Sequence, residues 1–333
     1  MRAILLFFVA ATAFGQDFSD LVPFNDLGTA PYRYGYFGGL YDDGSAVIPA
    51  DHLAGGLQQA SLIRPLDATG KPSPGGKIVF MSVGFGETSR IMRAMMAMAA
   101  SDTRVDRGSL VMIDAARDGL DAFAWIVPMS PGNYASIKSN LLAPAGVTPK
   151  QVQAAWVELL NNFPPCPLPL QSCDAYRLKQ EIASTLRELK TQYPNLRIAY
   201  LSSRVYGGYA TTLWNPEPFA YESALSVRWV IMGQVEEART GMLTWDSRIS
   251  DVRYETGIAP WIAWGPYLWA NGTRPRSDGL TWERDDFQAD GETLSEKGAR
   301  KGGALLFDFL LHEPTATWFR NPAAPPRMHA ARH

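Results

Sequence analysis

The apolar positions fall into two regimes along the chain. Residues 16–76 are rich in Gly, Pro, Asp and aromatic side chains with little periodicity, which predicts an irregular extension lying over a domain. It ends in DATGKPSPGGK (67–77), turn chemistry throughout. From there, apolar runs alternate with helical patterns. KIVFMSV (77–83), bounded by glycines, predicts a buried parallel strand. Residues 88–100 carry Ile91, Met92, Met95, Met96 and Met98 at near-helical spacing, the pattern of core packing rather than of a cofactor box. Further strands are predicted at GSLVMID (108–114), VQAAWVELL (152–160) and LRIAYLSS (196–203), with helices over 174–193, within 217–241 and over 295–311. Asp174 is placed to cap the first of these and Pro194 to stop it, while Ser295 opens the last.

Strands alternating with helices imply βαβ units and a parallel sheet, with a functional crevice beyond the carboxyl ends of the strands. That points to residues 84–87, 115–119, 160–162 and 203–209. The tail 321–333 reads as disordered.

The opening MRAILLFFVAATAFGQ adds a compartment. Arg2, an apolar stretch from Ala3 to Phe14, and small residues at Ala13 and Gly15 predict a secretory signal peptide over 1–15, hence a secreted or periplasmic protein. The alternative is an uncleaved anchor or a buried segment. The stretch is shorter than the ~20 apolar residues of a membrane span, and no transmembrane helix is expected later in the chain. The 333 residues are 46% hydrophobic and 19% charged with a net charge of -2, which supports a large core and excludes the basic face of a nucleic-acid binder. The two cysteines, Cys166 and Cys173, flank the proline-rich CPLPLQSC; an oxidising compartment favours a disulfide, and two thiolates without a nearby His make the other reading, a metal site, poor. No metal and no cofactor are expected.

The segments GGLYDDG (38–44), KIVFMSVG (77–84), SSRVYGGYATTLWNPEPFAYES (202–223), PWIAWGPYLWANGTRPRSDGLTW (260–282) and DFQADGETLSEKG (286–298) together resemble bacterial secreted SGNH/GDSL-type hydrolase-like proteins. The resemblance implies a three-layer α/β/α sandwich around a parallel sheet of about five strands. It also implies an ester-cleaving site with a serine after the first strand, a histidine base oriented by an aspartate, and an oxyanion hole completed by a glycine and an asparagine.

Carried across position by position, the implied nucleophile falls on Gly86 and its neighbour on Glu87. The acid–histidine motif falls on Asp290, Gly291, Glu292 and Thr293, retaining the aspartate and putting threonine at the histidine position. The oxyanion glycine maps to Gly119 and the asparagine to Asn161. Both reacting groups of the family are therefore absent, and losing them removes most of the rate enhancement. Substitutes are poorly placed. His329 and His333 lie in the tail, and His312 falls roughly 28 Å along a helix from Thr293. His52 belongs to the extension, and Ser82 sits roughly 13 Å deeper along the first strand.

Glu87, Asp290 and Glu292 could converge at the crevice, as acid and base or to bind a hard cation, or else face solvent paired with Arg90, Arg117 or Arg204. Arg204 and Tyr209 are the expected crevice lining, with Trp264, Trp269 and Trp282 nearby or in the core. Three functions stay open: a hydrolytically silent protein binding a small-molecule, carbohydrate or acyl-ester ligand; a secreted ester or carbohydrate-ester hydrolase with a rearranged site; and a partner-binding protein whose crevice is filled.

Overall fold

The computed structural model describes residues 18–127 and 133–322. The leader expected over 1–15 and all but the first two residues of the expected tail lie outside the described residues. Five strands, β1 (Ile78–Gly84), β2 (Leu110–Asp114), β3 (Val152–Glu158), β4 (Ile198–Ser202) and β5 (Trp261–Trp264), form one sheet in the order 2-1-3-4-5. Every pairing is parallel. Five long helices flank it: α1 (Ala50–Leu62), α2 (Gly86–Ser101), α3 (Asp174–Gln192), α4 (Phe219–Thr240) and α5 (Glu296–His312).

The layers follow from the two-residue alternation of strand side chains. Val79, Met81, Val83, Ala155, Val157, Ala199, Leu201 and Ile262 pack with α3 and α4 on one face. Phe80, Ala154, Trp156, Ile198, Tyr200 and Trp261 pack with α1, α2 and α5 on the other. Since both faces are covered, the strands read as continuous apolar runs. The fold is the expected three-layer α/β/α sandwich.

The sequence reading differs from the structure in three places. Residues 50–62, read as irregular, form α1; its Gly55–Gly56 pair is a weak helix former, yet a Cβ at Gly56 would lie 2.7 Å from Trp261 Cε2, so the close seat on β5 requires glycine. β5 was not separated from its aromatic surroundings because WIAW is short and flanked by further tryptophans. Asp174 does not cap α3; Cys173 holds that position, and the buried Asp174 carboxylate accepts from Asn161 Nδ2 at 3.1 Å. Ser295 does cap α5, accepting from Gly298 N.

Cys166 and Cys173 form a disulfide. The loop they close is pinned where Leu168 N donates to Glu222 Oε2 at 3.0 Å. The N-terminal segment is strapped across the α4 edge of the domain. Phe24 stacks on Tyr221 with ring centroids 4.6 Å apart, and Arg228 Nη1 donates to the Phe37 and Gly38 carbonyls at 2.7 and 2.6 Å. Asn271 Nδ2 donates to the Ser19 and Leu21 carbonyls at 3.0 and 2.8 Å, and the Trp264 indole to Leu40 O at 2.7 Å.

Candidate functional site

In this strand order the winding reverses at β1, whose neighbours are β2 on one side and β3 on the other. Open α/β sheets place their crevice at such a switch point. Here that point lies beyond Gly84 and Glu158, which are paired in register.

The chain leaves β1 through Phe85 and enters α2 at Gly86, the position of the implied nucleophile. A Cβ built on Gly86 would lie 3.0 Å from Asp118 Cγ and collide with its Oδ1. The carboxylate of the exposed Asp118, from the loop after β2, leans over this position, and a serine there requires it to swing aside. One turn into α2, Thr88 Oγ1 accepts from Phe85 N at 3.1 Å and donates to Glu158 Oε2 at 2.7 Å. The exit of β1 is held by this threonine and the last residue of β3.

Glu158 also accepts from Arg204 Nη1 at 3.0 Å, and Glu87 Oε2 lies 3.7 Å from the same nitrogen. All three side chains are buried; Glu87 and Arg204 expose 5% and 4% of their surfaces. Burial works against the Arg204 charge, but the carboxylates of Glu158, Glu87 and Glu292 more than offset it and raise its pKa. For Glu87 desolvation wins over the arginine, with Glu158 adding repulsion, and its carboxyl is pushed up to about 7. The solvent-facing alternative for Glu87 and Glu292 therefore gives way to a buried arrangement around Arg204. The guanidinium stands where a bound cation would otherwise balance these acids.

The loop carrying the implied acid–histidine motif joins the network through one residue only. Glu292 is buried; its Oε1 accepts from Asn215 N at 2.7 Å and its other oxygen from the Thr212 hydroxyl. Asp290 instead closes its own turn. Its carboxylate accepts from Thr293 Oγ1 at 2.6 Å and from the Glu292 and Thr293 amides at 3.0 and 2.9 Å. Burial alone would raise the Asp290 pKa, but these hydrogen bonds hold it below the ordinary carboxylate value. The aspartate that would orient an imidazole orients a threonine.

The remaining candidates are dispersed. Gly119 is exposed with φ 81°. Asn161 is fully buried, and its Nδ2 donates to Asp174 and, at 2.6 Å, to Glu181, both on α3, so its amide hydrogens are committed away from the Gly86 position. Tyr209 is half-buried, donates to Trp282 O at 3.1 Å and packs edge-on against Tyr206 and Phe287. Trp264, Trp269 and Trp282 are core residues. Ser82 donates to Asp114 Oδ1 at 2.9 Å and accepts from Ala115 N at 3.1 Å, a hydrogen-bonded strand serine. His52 stacks on Trp261 and its Nε2 meets Ile262 O at 2.8 Å, against β5; His312 bonds Asp308 at the end of α5. His329 and His333 lie outside the described residues.

Sequence reasoning missed Glu158 and Asp118. For Glu158 a signal existed: it is the one charged residue in VQAAWVELL, at the carboxyl end of a strand buried on both faces, where an ionisable group needs a partner. Nothing in ARDGLDA distinguished Asp118 as the residue that leans over the Gly86 position.

No protein-family model matches the chain, and no curated protein does. Among solved structures, a Bacteroides fragilis protein assigned as an acylhydrolase superposes with a TM-score of 0.40 and 9% identity, over 82% of this chain and 100% of its own. An extracellular lipase from Streptomyces rimosus superposes with a TM-score of 0.30 and 12% identity, over 70% of this chain and 99% of its own.

Proposed function

We propose that this chain is a secreted protein on an SGNH-type scaffold that recognises a carbohydrate or acyl-ester ligand without cleaving it. The observation that carries the reading is Gly86 itself: the implied nucleophile position has no side chain, and the Asp118 carboxylate leans into the space above it. Three further features support it. Thr293 donates to Asp290 the hydrogen bond that an imidazole would otherwise donate. Glu87 and Glu158 are held by Arg204 in the crevice. His52, the one buried histidine among the described residues, is held against β5, at the opposite edge of the sheet from β2, by Ile262 O and the Trp261 ring.

The expected outcome with p-nitrophenyl acetate and butyrate is no turnover above buffer for the purified mature chain. Gly86→Ser with Thr293→His should stay weak, because the serine must displace the Asp118 carboxylate to take its rotamer. Adding Asp118→Gly to that pair should allow the serine to adopt its rotamer and release measurable esterase activity. Saturable hydrolysis by the unmodified chain, lost on Glu87→Gln with folding intact, would overturn the proposal.

That last result defines a second reading, favoured by one observation: a carboxyl with a pKa of about 7 beside other acids suits acid–base chemistry near neutrality. It requires a substrate to reach Glu87, which is 5% exposed.

A further inference from the structure

Away from the crevice, a groove of about 510 Å³ opens between the outer faces of α3 and α4 and the loop that follows α4. Its size lies within the ~300–1,000 Å³ of small-molecule sites. Its floor is aromatic. Tyr176 and Trp229 stack with centroids 5.0 Å apart, and Tyr36, from the N-terminal strap, packs 5.7 Å from Trp229 and meets the Tyr176 hydroxyl at 3.0 Å. On the rim stands Trp245, 85% exposed.

The charges around the groove are already matched. Lys179 Nζ lies 4.7 and 4.8 Å from the Tyr176 and Trp229 ring centroids and pairs with Asp246, so the aromatic floor holds a cation of its own. Asp42 pairs with Arg228 at 3.0 Å, and Arg239 with Asp51 at 2.5 Å. The exception is Glu236, whose carboxylate is engaged by the Thr244 hydroxyl alone at 3.3 Å. The indole N–H groups of Trp229 and Trp245 donate to no described residue. The open functions are thus aromatic faces, two indole donors and one carboxylate acceptor.

We propose that this groove binds a neutral saccharide, a sugar ring stacking on Trp245 while Glu236 accepts from its hydroxyls. A pyranose presents C–H-rich faces to aromatic rings and a periphery of hydroxyls to such donors and acceptors. An organic cation is disfavoured because Lys179 and, 5.3 Å over Tyr176, Arg248 already sit on the rings, and an anion because Glu236 is the unpaired charge among the residues that line the groove. The site goes beyond the function proposed for the crevice and is tested without any hydrolysis, so either can fail alone.

The test is titration of the full mature chain with cellotriose, chitotriose, maltotriose and xylotriose, read by tryptophan fluorescence and calorimetry. At least one should bind saturably, with an affinity little changed between about 0.05 and 0.5 M salt, because no ion pair forms. Trp245→Ala and Glu236→Gln, both outside the core, should keep the thermal midpoint and each weaken binding by about tenfold or more. Absence of binding by all four sugars, or undiminished binding in Trp245→Ala, would overturn the proposal. So would a Trp245-dependent interaction with neutral or anionic lipid vesicles in place of sugars.

Discussion

Glu87 shows how one side chain feels three competing influences. It sits in the first turn of α2, where the helix dipole favours a carboxylate, and near a guanidinium, which does the same. Burial outweighs both, and the acid keeps its proton to about pH 7 against an ordinary value of 4.5. A raised acid pKa means that the folded chain binds this proton more tightly than the unfolded chain does. The stabilisation is complete below about pH 4.5 and is lost as the pH rises through about 7. Glu87→Gln imitates the protonated form. Relative to the unmodified chain it should be near neutral at about pH 5 and more stable by on the order of 1–3 kcal/mol at about pH 8, measured by urea denaturation. A variant equally destabilised at both values would show that the glutamate's charge, not its burial, matters. None of this was visible from the residue's place in GFGETSR: the sequence could put Glu87 at the strand exit, but its partners Arg204 and Glu158 come from other strands. Their meeting is a product of sheet order.

At the scale of elements, the long apolar runs of β1 to β4 and the periodic helices were legible because their patterns are local. The elements that escaped, α1 and β5, define each other. Each is a poor instance of its type, and the two become regular where Gly56 lets the helix seat on Trp261. The same use of glycine joins α2 to α5. A Cβ at Gly302 would lie 2.7 Å from Ile91 Cγ1, and one at Gly303 2.7 Å from Ala94 Cβ and 2.8 Å from Met95 N. The two helices meet nearly backbone to backbone, with no room for a branched side chain. Gly303→Val should therefore force them apart and cost roughly 1–3 kcal/mol in the denaturant midpoint, as overpacking does. Gly257→Ala, at a left-handed position with open space around it, serves as a comparison in which strain arises without packing.

For the molecule as a whole, Glu87 is not alone. Asp174, against Asn161, and Glu222, against Leu168 N and Tyr32, are likewise pushed up to about 7, in each case chiefly by burial. All three favour the protonated folded state, and their contributions fade together as the pH rises from about 4 to 7. The opposite shifts at Asp51 and Asp102, held at about 2 by Arg239 and Arg104, belong to an exposed and a half-buried pair and act only at lower pH. The thermal midpoint should thus fall between about pH 5 and pH 8, and Glu87→Gln with Asp174→Asn and Glu222→Gln should flatten that profile. A midpoint that rises over this interval would mean that these acids are ionised in the native state.

The N-terminal strap bears on how the molecule is made. Its anchors, Tyr221, Arg228, Trp264 and Asn271, are encoded more than half the chain later than the residues they hold. This segment is synthesised before its docking surface, which begins with α4 and is complete only when β5 and the loop after it have emerged. It must stay extended and unsatisfied while most of the sandwich assembles behind it. Closing so long a loop is a late step set by topology, and it couples the completion of the last strand to the settling of the first residues.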